Sequence, residues 1–290
     1  MADASGQADI RGIDIDKLAK GFADEELVLK NYCTVSKTSA REIRWYQKTA
    51  GFLDNTDTTG ITASVIANTA YRALPVVVEQ SWTRNTSYVR KYFVESPLIS
   101  EEDIKDCDID ILATNVRDLV KAVSNQVDLR IYTVLTAAGC QTAASTQDGW
   151  DDAATGDPIT DLMAAKTAIR NYRYNPEGAI LYIHPTDHKN LLTFLINVKG
   201  SSIPAFSSQA VERGVVMEVL GLKVVVSVNA TSDQALVFVP KVSCTWKQFV
   251  PITSTVITDP GIGRKIRVWE EGEAIRTDPY AVYLITDTIT

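Results

Sequence analysis

The stretch DIDILATNVRDLVKAVSNQVDLRIYTVLTAA constrains the fold strongly, because apolar residues recur along it at helical spacing. The recurring residues are Leu112, Val116, Leu119, Val123, Val127, Ile131 and Val134. The pattern predicts one helix from about Asp108 to Ala137, which would be ~45 Å long at 1.5 Å per residue. Such a helix would run the full length of an ordinary small domain.

Two runs rich in β-branched and aromatic residues precede this helix, one on each side of the polar segment TRNTS. They predict a β-hairpin in which Leu74–Trp82 pairs with Tyr88–Glu95. Apolar side chains fall on both faces of this hairpin, and a lone two-stranded hairpin is marginal in water. We therefore expect the hairpin to pack on another surface, either of its own chain or of another subunit.

The N-terminal region contains little that could form a core. Residues 1 to about 35 are polar and acidic with scattered apolar residues, and are expected to form an arm that lies on something else. Ser39 and Glu42 have the S-x-x-E spacing of a capping box, and Gly51 can end a helix in the left-handed conformation. These signals predict a short helix from about Ala40 to Ala50.

The second half of the chain alternates helical and strand patterns. Asp157-Pro158 predicts a helix start, and the residues expected on the buried side of that helix are Ile159, Leu162, Met163 and Ile169. Strand AILYIH, helix PTDHKNLLTFLI, a flexible loop over Gly200–Gly214 and a hairpin turning near Gly221 follow. The remaining segments, QALVFVP, VSCTWKQFVPITSTVIT and RKIRVWEEGEAIRTDPYAVYLIT, predict β structure with a bend at Asp278-Pro279. The order is typical of an α+β fold.

The segment YIHPTDHKNLL contains both histidines of the chain, His184 and His188, with Asp187 between them. One interpretation is a zinc or iron site of a metal-dependent enzyme, because histidines four apart on a helix can share a metal. Pro185, however, stands where a zincin-like motif needs its catalytic glutamate, and it places His184 before the helix. The preferred interpretation is that a strand ends at His184 and a helix begins at Pro185, with Asp187 near the positive end of the helix dipole. We predict no bound metal and no cofactor.

Other classes of function find little support in the sequence. Gly261-Ile262-Gly263-Arg264-Lys265 lacks the spacing of a phosphate-binding loop and predicts a turn. No nucleophile elbow is present, so no catalytic residue is proposed. With 29 basic and 36 acidic residues the formal charge is −7, which predicts at most weak, non-specific contact with DNA. The four cysteines are far apart without a CxxC pair, which favours a reducing compartment, and no segment predicts a membrane span.

The predicted hairpin is the preferred candidate for a subunit interface, because aromatic residues and arginine together are typical of protein interfaces. The candidate residues are Trp82, Arg84, Tyr88, Arg90, Lys91, Tyr92 and Phe93. Three acidic residues of a late strand, Glu270, Glu271 and Glu273, are a candidate surface that the basic hairpin tip could contact.

Three segments, taken in order, resemble the major capsid protein of tailed bacteriophages, whose Hong Kong 97-type fold is shared with encapsulin shells. ILYIHPTDHKNL is similar to the strand-to-helix step of that family, although His184 stands where asparagine is usual. VLGLKVVVSVNATSDQALVFVP is similar to its turn, buried strand, surface loop and following strand. IRVWEEGEAIRTDPYAVYLIT is similar to its closing pair of strands. The resemblance covers about Leu74 to the C terminus.

The resemblance implies a domain organisation. Residues 1–60 would form the N-terminal arm with the short helix, and 61–97 the extended loop that overlaps a neighbouring subunit. Residues 98–138 would carry the spine helix of a peripheral domain, 139–256 the axial domain, and 257–290 closing strands that return to the peripheral domain. Some relatives crosslink subunits through a lysine, and Lys91 lies in the corresponding loop, but no partner residue can be identified.

The expected function is structural, without catalysis. We expect a major capsid protein that self-assembles through hexamers and pentamers into an icosahedral shell enclosing a double-stranded DNA genome. Scaffold, portal and decoration proteins are possible further partners, and no membrane is involved. The expected location is the virion capsid, with assembly in the host cytoplasm. The alternatives are an encapsulin-type nanocompartment and a metal-dependent enzyme centred on His184, Asp187 and His188.

Overall fold

The computed structural model describes residues 29–50, 70–74, 81–106, 111–146, 148–152, 155–197 and 218–289. The chain divides into two compact units: a small unit, Ala40–Tyr88, and a large unit that combines Met1–Ser39 with Val89–Thr290. The predicted loop over Gly200–Gly214 and most of the predicted arm lie outside the described residues.

The helices of the described residues are α1 (Glu101–Asp106), α2 (Ile111–Leu135), α3 (Pro158–Asn171) and α4 (Pro185–Asn197). The strands are β1 (Thr34–Lys37), β2 (Glu42–Ala50), β3 (Ser81–Tyr88), β4 (Arg90–Glu95), β5 (Ile99–Ser100), β6 (Gln141–Ala144), β7 (Ile180–Ile183), β8 (Glu218–Val219), β9 (Leu222–Val226), β10 (Gln234–Phe238), β11 (Cys244–Asp259), β12 (Gly263–Arg276) and β13 (Val282–Thr286). No described helix is both long and apolar enough to cross a membrane.

Two sheets form the large unit. Sheet one has the order β1-β11-β12-β4, and β5 also pairs with β12. Sheet two has the order β6-β13-β10-β7-β9-β8. The α+β fold class is therefore confirmed. The predicted boundary at residue 256 falls inside β11, and the segment after it contributes β12 to sheet one and β13 to sheet two; the domain assignments stay predictions.

The long helix is confirmed as α2. Its apolar stripe is completely buried at Val116, Val120, Val127 and Ile131, and it packs mainly on β12 and β4 of sheet one. The same hydrophobic cluster includes alternate residues of sheet two, such as Tyr182. Helix α2 is thus a central element of the core, as its length and unbroken repeat predict.

The centre of sheet two is buried on both faces. Ile180 and Tyr182 of β7 belong to the cluster around α2, whereas Leu181 and Ile183 belong to a second cluster with α3 and α4. Successive side chains of a strand point to opposite faces, so both faces of β7 must be apolar. This explains why the strand has the unbroken apolar sequence ILYI.

The start of α3 forms as predicted. The carboxylate of Asp157 accepts hydrogen bonds from the backbone N–H groups of Ile159 and Thr160, and Pro158 is the first helical residue. Leu162 and Ile169 are fully buried, but the prediction was wrong for Met163, whose side chain is 54% exposed.

The predicted helix over Ala40–Ala50 is wrong, because Glu42–Ala50 forms strand β2. β2 pairs antiparallel with β3, which lies some forty residues later in the chain. The segment EIRWYQK alternates side chains at the strand period, and its β-branched and aromatic residues Ile43, Trp45 and Tyr46 favour a strand. A capping box is a local signal, and here it is outweighed by pairing with a distant strand.

The predicted hairpin is also wrong. The segment TRNTS, read from the sequence as its turn, lies within β3, and β3 pairs with β2 whereas β4 pairs with β12 of sheet one. The Leu74–Trp82 arm lies largely outside the described residues. Polar residues here indicate an exposed strand rather than a turn, because Thr83, Arg84 and Thr86 are exposed to solvent although they lie on alternate faces of the two-stranded sheet.

The hairpin turning near Gly221 is confirmed. Leu220 and Gly221 both have positive φ angles, 53° and 76°, which is the conformation of a two-residue turn between β8 and β9. The bend at Asp278-Pro279 is confirmed too, since the Asp278 carboxylate accepts a hydrogen bond from Tyr280 N–H at 2.8 Å.

Candidate subunit interface

The two-stranded sheet of the small unit has one strongly aromatic face. β2 and β3 pair with Glu42 opposite Tyr88, Tyr46 opposite Arg84 and Lys48 opposite Trp82. Directly paired residues share a face, so Tyr46, Trp82 and Tyr88 all lie on the same side. Their exposed fractions are 66%, 55% and 65%. We call the five residues Arg44, Tyr46, Trp82, Arg84 and Tyr88 the aromatic face.

Charges surround these rings. The guanidinium of Arg44 donates a hydrogen bond to the carboxylate of Glu42 at 2.6 Å, and this bond, together with the positive charges of Arg44 and Arg84, lowers the pKa of Glu42. Both partners are exposed, so the pair contributes little to stability. Large aromatic side chains beside arginine are the residues that dominate protein interfaces.

The predicted interface residues are therefore divided between two sheets. Trp82, Arg84 and Tyr88 lie on β3 of the small unit, whereas Arg90, Lys91, Tyr92 and Phe93 lie on β4 of the large unit. The idea that they share one hairpin tip was wrong. Their role in an interface stays a prediction.

On β4, Phe93 and Lys91 form a second exposed group. Phe93 is 50% exposed, and its ring centroid lies 6.3 Å from that of Trp269 on the paired strand β12. The Lys91 ammonium is 5.0 Å from the Phe93 ring centroid and 6.0 Å from that of Trp269, which are distances for a cation–π interaction. Lys91 also forms an ion pair with Glu271 at 3.5 Å.

Tyr92 points the other way, onto the hydrophobic cluster around α2. Its burial, with a smaller contribution from the negative charge of Glu273, raises the pKa of Tyr92 to about 12. A cavity of about 500 Å³ lies beside it, lined by residues 91–94 of β4 and by Ala122, Val123, Asn125 and Gln126 of α2. Tyr92 thus belongs to the core side of sheet one.

Glu270, Glu271 and Glu273 do not form an acidic surface. Glu270 and Glu273 are completely buried, and Glu271 is 9% exposed. Arg130 and Arg90 both pair with Glu273, the latter at 3.3 Å. Within the chain, Arg90 pairs with Glu273 and Lys91 with Glu271 because β4 and β12 are adjacent in sheet one. A role of these glutamates as a partner surface stays a prediction.

Glu270 is the centre of a buried ionic cluster that sequence reasoning missed. Lys30 forms an ion pair with it, and the indole N–H of Trp246 donates to the same carboxylate oxygen at 3.2 Å. The Lys30 ammonium also lies 5.6 Å from the Trp246 ring centroid. A carboxylate buried inside an apolar strand needs a cationic partner. The glutamates within the apolar segment IRVWEEGEAI therefore indicated from the sequence that such a partner exists. The partner, near the N terminus, could not be identified from the sequence.

A second buried carboxylate, that of Asp128, accepts a hydrogen bond from the backbone near Lys30. Asp128 lies on the buried stripe of α2, 2% exposed, and accepts a hydrogen bond from the backbone N–H of Leu29 at 3.2 Å. Residues 29 and 30 are therefore joined to both α2 and β12 of the large unit.

His184 and His188 lie in different surroundings. The strand-to-helix step is confirmed: β7 ends at Ile183, α4 begins at Pro185, and the His184 ring nitrogen Nδ1 accepts a hydrogen bond from Thr186 N–H at 3.2 Å. Asp187 is fully buried and accepts from the Thr288 hydroxyl at 2.9 Å. Burial lowers the pKa of His188. Within the described residues, no group of three or more His, Cys, Asp or Glu side chains is arranged to hold a metal ion.

Comparison with known proteins gives consistent results for fold and family. The family model described as "Phage capsid protein" matches residues 98–285, well over half of the chain. No curated protein matches the chain significantly.

Three solved structures illustrate the likeness in fold. The capsid of cyanophage P-SCSP1u has a TM-score of 0.67 at 13% identity, and the alignment covers 91% of this chain and 89% of the cyanophage chain. The virus-like particle of Pyrococcus furiosus has a TM-score of 0.64 at 11% identity, covering 95% and 99%. A protein of Mycobacterium phage Che8 has a TM-score of 0.60 at 14% identity, covering 87% and 86%.

The family match spans α2, sheet two, and strands β5, β11 and β12 of sheet one. The fold agrees with capsid structures of the Hong Kong 97 type. The chain belongs to the phage capsid protein family, and is a structural major capsid protein rather than an enzyme.

Proposed function

We propose that this chain assembles through hexamers and pentamers into an icosahedral shell around a double-stranded DNA genome. The family supports homo-oligomeric assembly in a virion capsid. Assembly in the host cytoplasm, with scaffold, portal and decoration proteins as further partners, completes the proposal.

The observation that carries the proposal is the exposed aromatic face of the small unit. A two-stranded sheet standing alone is marginal in water, and three large aromatic side chains more than half exposed form a patch typical of interaction sites. In a shell, sister copies supply the covering surface. Burying Tyr46, Trp82 and Tyr88 would contribute to each of many repeated contacts.

The small unit takes the role of the extended loop in this proposal. The predicted loop covered residues 61–97, whereas the compact unit comprises Ala40–Tyr88. The unit starts earlier in the chain than predicted because it includes β2, which supplies the partner strand of β3. Sheet one with α2 would form the peripheral domain and the centre of sheet two the axial domain.

The net charge of −7 suits a container, because a negative wall does not bind packaged DNA tightly. An encapsulin-type compartment, which shares the fold, is the rival. Purified particles separate the two: nuclease-resistant double-stranded DNA supports the virion, whereas a protein cargo without DNA supports the compartment.

The aromatic face is tested by the triple variant Tyr46→Ser, Trp82→Ser and Tyr88→Ser, expressed at full length and examined by electron microscopy and sedimentation. We expect closed particles to be lost while folded subunits or small oligomers remain. The matched control is Gln47→Ala with Thr83→Ala, which alters the opposite face of the same strands and should assemble normally. Particles of normal yield from the triple variant would contradict the proposal, and so would equal loss in the control.

A further inference from the structure

Cys33 and Cys244 are brought together by the parallel pairing of β1 with β11. Thr34 is in register with Thr245, and each cysteine directly precedes one of these residues. The backbone of Cys33 is extended, with φ −87° and ψ 157°, so the strand register continues to the two cysteines. Paired residues of adjacent strands point to the same side of the sheet.

The spacing suits a disulfide bond. Neighbouring strands lie about 4.7–4.9 Å apart, and the Cα atoms of disulfide-bonded cysteines are usually ~4.4–6.8 Å apart. The two side chains lie in the same hydrophobic cluster, 4% and 1% exposed. Both thiols are free in the structure.

The surroundings keep the reduced pair unreactive while the strand is closed. The hydrogen bond from Cys244, together with burial, raises the pKa of Cys33 well above its usual value, and the charge of Asp128 acts in the same direction. The Lys30 ammonium opposes this effect. Since the thiolate is the reactive form, oxidation at neutral pH requires local opening.

β1 provides a route for that opening. It is four residues long and lies at the end of the strand order of sheet one, with three of its residues exposed. Short edge elements open more easily than a central strand. Two hydrogen bonds hold β1 in its closed position: Thr34 Oγ1 donates to the Lys241 carbonyl at 2.7 Å, and Lys247 Nζ donates to Ser36 Oγ at 3.0 Å.

We propose that Cys33 and Cys244 form an intrachain disulfide that joins the residue preceding β1 to the first residue of β11 under oxidising conditions. The oxidant is a small-molecule disulfide such as oxidised glutathione. The two thiols lose two protons and two electrons, the Cys33–Cys244 S–S bond forms, and the S–S bond of the oxidant is cleaved to give two thiols. The bond would be absent in a reducing cytoplasm and would form in an oxidising medium.

The bond would act on the stability of the subunit. It closes a loop of about two hundred residues between positions 33 and 244, and long loops gain most from a crosslink in the chain-entropy model. We expect the melting temperature of the oxidised form to exceed that of the reduced form by roughly 5–10 °C.

The experiment incubates the full-length protein in glutathione buffers of increasing oxidised fraction. Free thiols are then blocked, and the digested chain is analysed by mass spectrometry without reduction. We expect a linked Cys33–Cys244 peptide that accumulates with oxidation and disappears with dithiothreitol, together with the rise in melting temperature. Cys33→Ser and Cys244→Ser should abolish both effects, and the control Cys140→Ser, at a half-buried cysteine, should retain them.

Two results would overturn the proposal. One is that both thiols remain blockable on denaturation after full oxidation; the other is that the linked peptides join either cysteine to Cys107 or Cys140 instead. The wild-type peptide analysis decides the matter even if a serine variant fails to fold. The measurement does not depend on shell formation. If no disulfide is found, the proposed assembly is therefore unaffected.

Discussion

The large and small units bury their aromatic residues to very different extents. Trp246 in the large unit is completely buried, and its indole N–H donates to Glu270. Trp82 in the small unit is 55% exposed, on a two-stranded sheet. The large unit completes its own core, whereas the small unit has a face that an isolated chain does not cover.

The difference shows how one chain can combine two physical tasks. A subunit must be stable before it assembles, which requires a closed core with paired buried charges. It must also retain apolar surface, because contacts between copies draw on the same hydrophobic effect. Placing these tasks in separate units allows substitutions to affect one without the other.

The largest effect is expected from Glu270→Ala in the large unit. The substitution leaves Lys30 buried without its carboxylate and Trp246 without its hydrogen-bond acceptor, and breaking a buried ion pair costs about 3–5 kcal/mol. Urea unfolding of unassembled subunits measures the loss. The control is Glu42→Ala, which removes the exposed pair with Arg44 and should leave the midpoint almost unchanged. Equal midpoints for the two variants would contradict the contrast between the units.

Gly272→Ala should have the next largest effect. A Cβ atom at this position would lie 2.4 Å from the Trp246 ring, whereas one at Gly261 would meet nothing within 4 Å. We expect Gly272→Ala to lower the free energy of unfolding by about 1–3 kcal/mol through overpacking. Gly261→Ala only places a Cβ atom on a turn residue with a positive φ angle. It should lower the free energy of unfolding by less, about 1 kcal/mol. A smaller loss for Gly272→Ala would show that the Trp246 ring can move aside.

Tyr46→Ser in the small unit should hardly change the stability of the subunit, because its side chain is 66% exposed. We expect a change within about 0.5 kcal/mol in urea unfolding of unassembled subunits, together with weaker assembly measured by sedimentation. A large loss of subunit stability would mean that the small unit buries this residue within its own chain in solution.

The smallest effect concerns pH and Asp187. Burial raises the pKa of Asp187, so the folded chain binds this proton more tightly than the unfolded chain does. The contribution to stability is fully present below the unfolded pKa and is lost as the pH rises through the folded pKa. Asp187→Asn should therefore be relatively more stable at pH 8 than at pH 4, as followed by melting temperature. The control is Asp118→Asn, an exposed substitution that removes the same charge; a matching trend in this variant would assign the effect to net charge.

Local patterns were sufficient for several elements. Helix α2 follows from an apolar repeat sustained over seven turns, and the start of α3 from Asp157 and Pro158, whose capping depends on neighbours in sequence. The step from β7 to α4 at His184 and Pro185 is equally local. Each of these features depends on residues within one helical turn or on one helix face. It can therefore be predicted from the local sequence alone.

Non-local pairing accounts for the failures. Whether the segment from Glu42 becomes a helix or a strand depends on β3, and whether Thr86 forms part of a turn or a strand depends on β2. The buried state of Glu270 likewise depends on Lys30, 240 positions away. None of these partners is marked in the local sequence.

The sequence by itself determined the central helix, the α+β class and the resemblance to capsid proteins, because these rest on periodicity and on the order of motifs. Only the tertiary structure decided which strands pair, which carboxylates are buried, and that Tyr46, Trp82 and Tyr88 share one exposed face. The reason is physical: strand pairing and charge burial are settled by contacts between distant segments, and their energies appear only when the chain is folded.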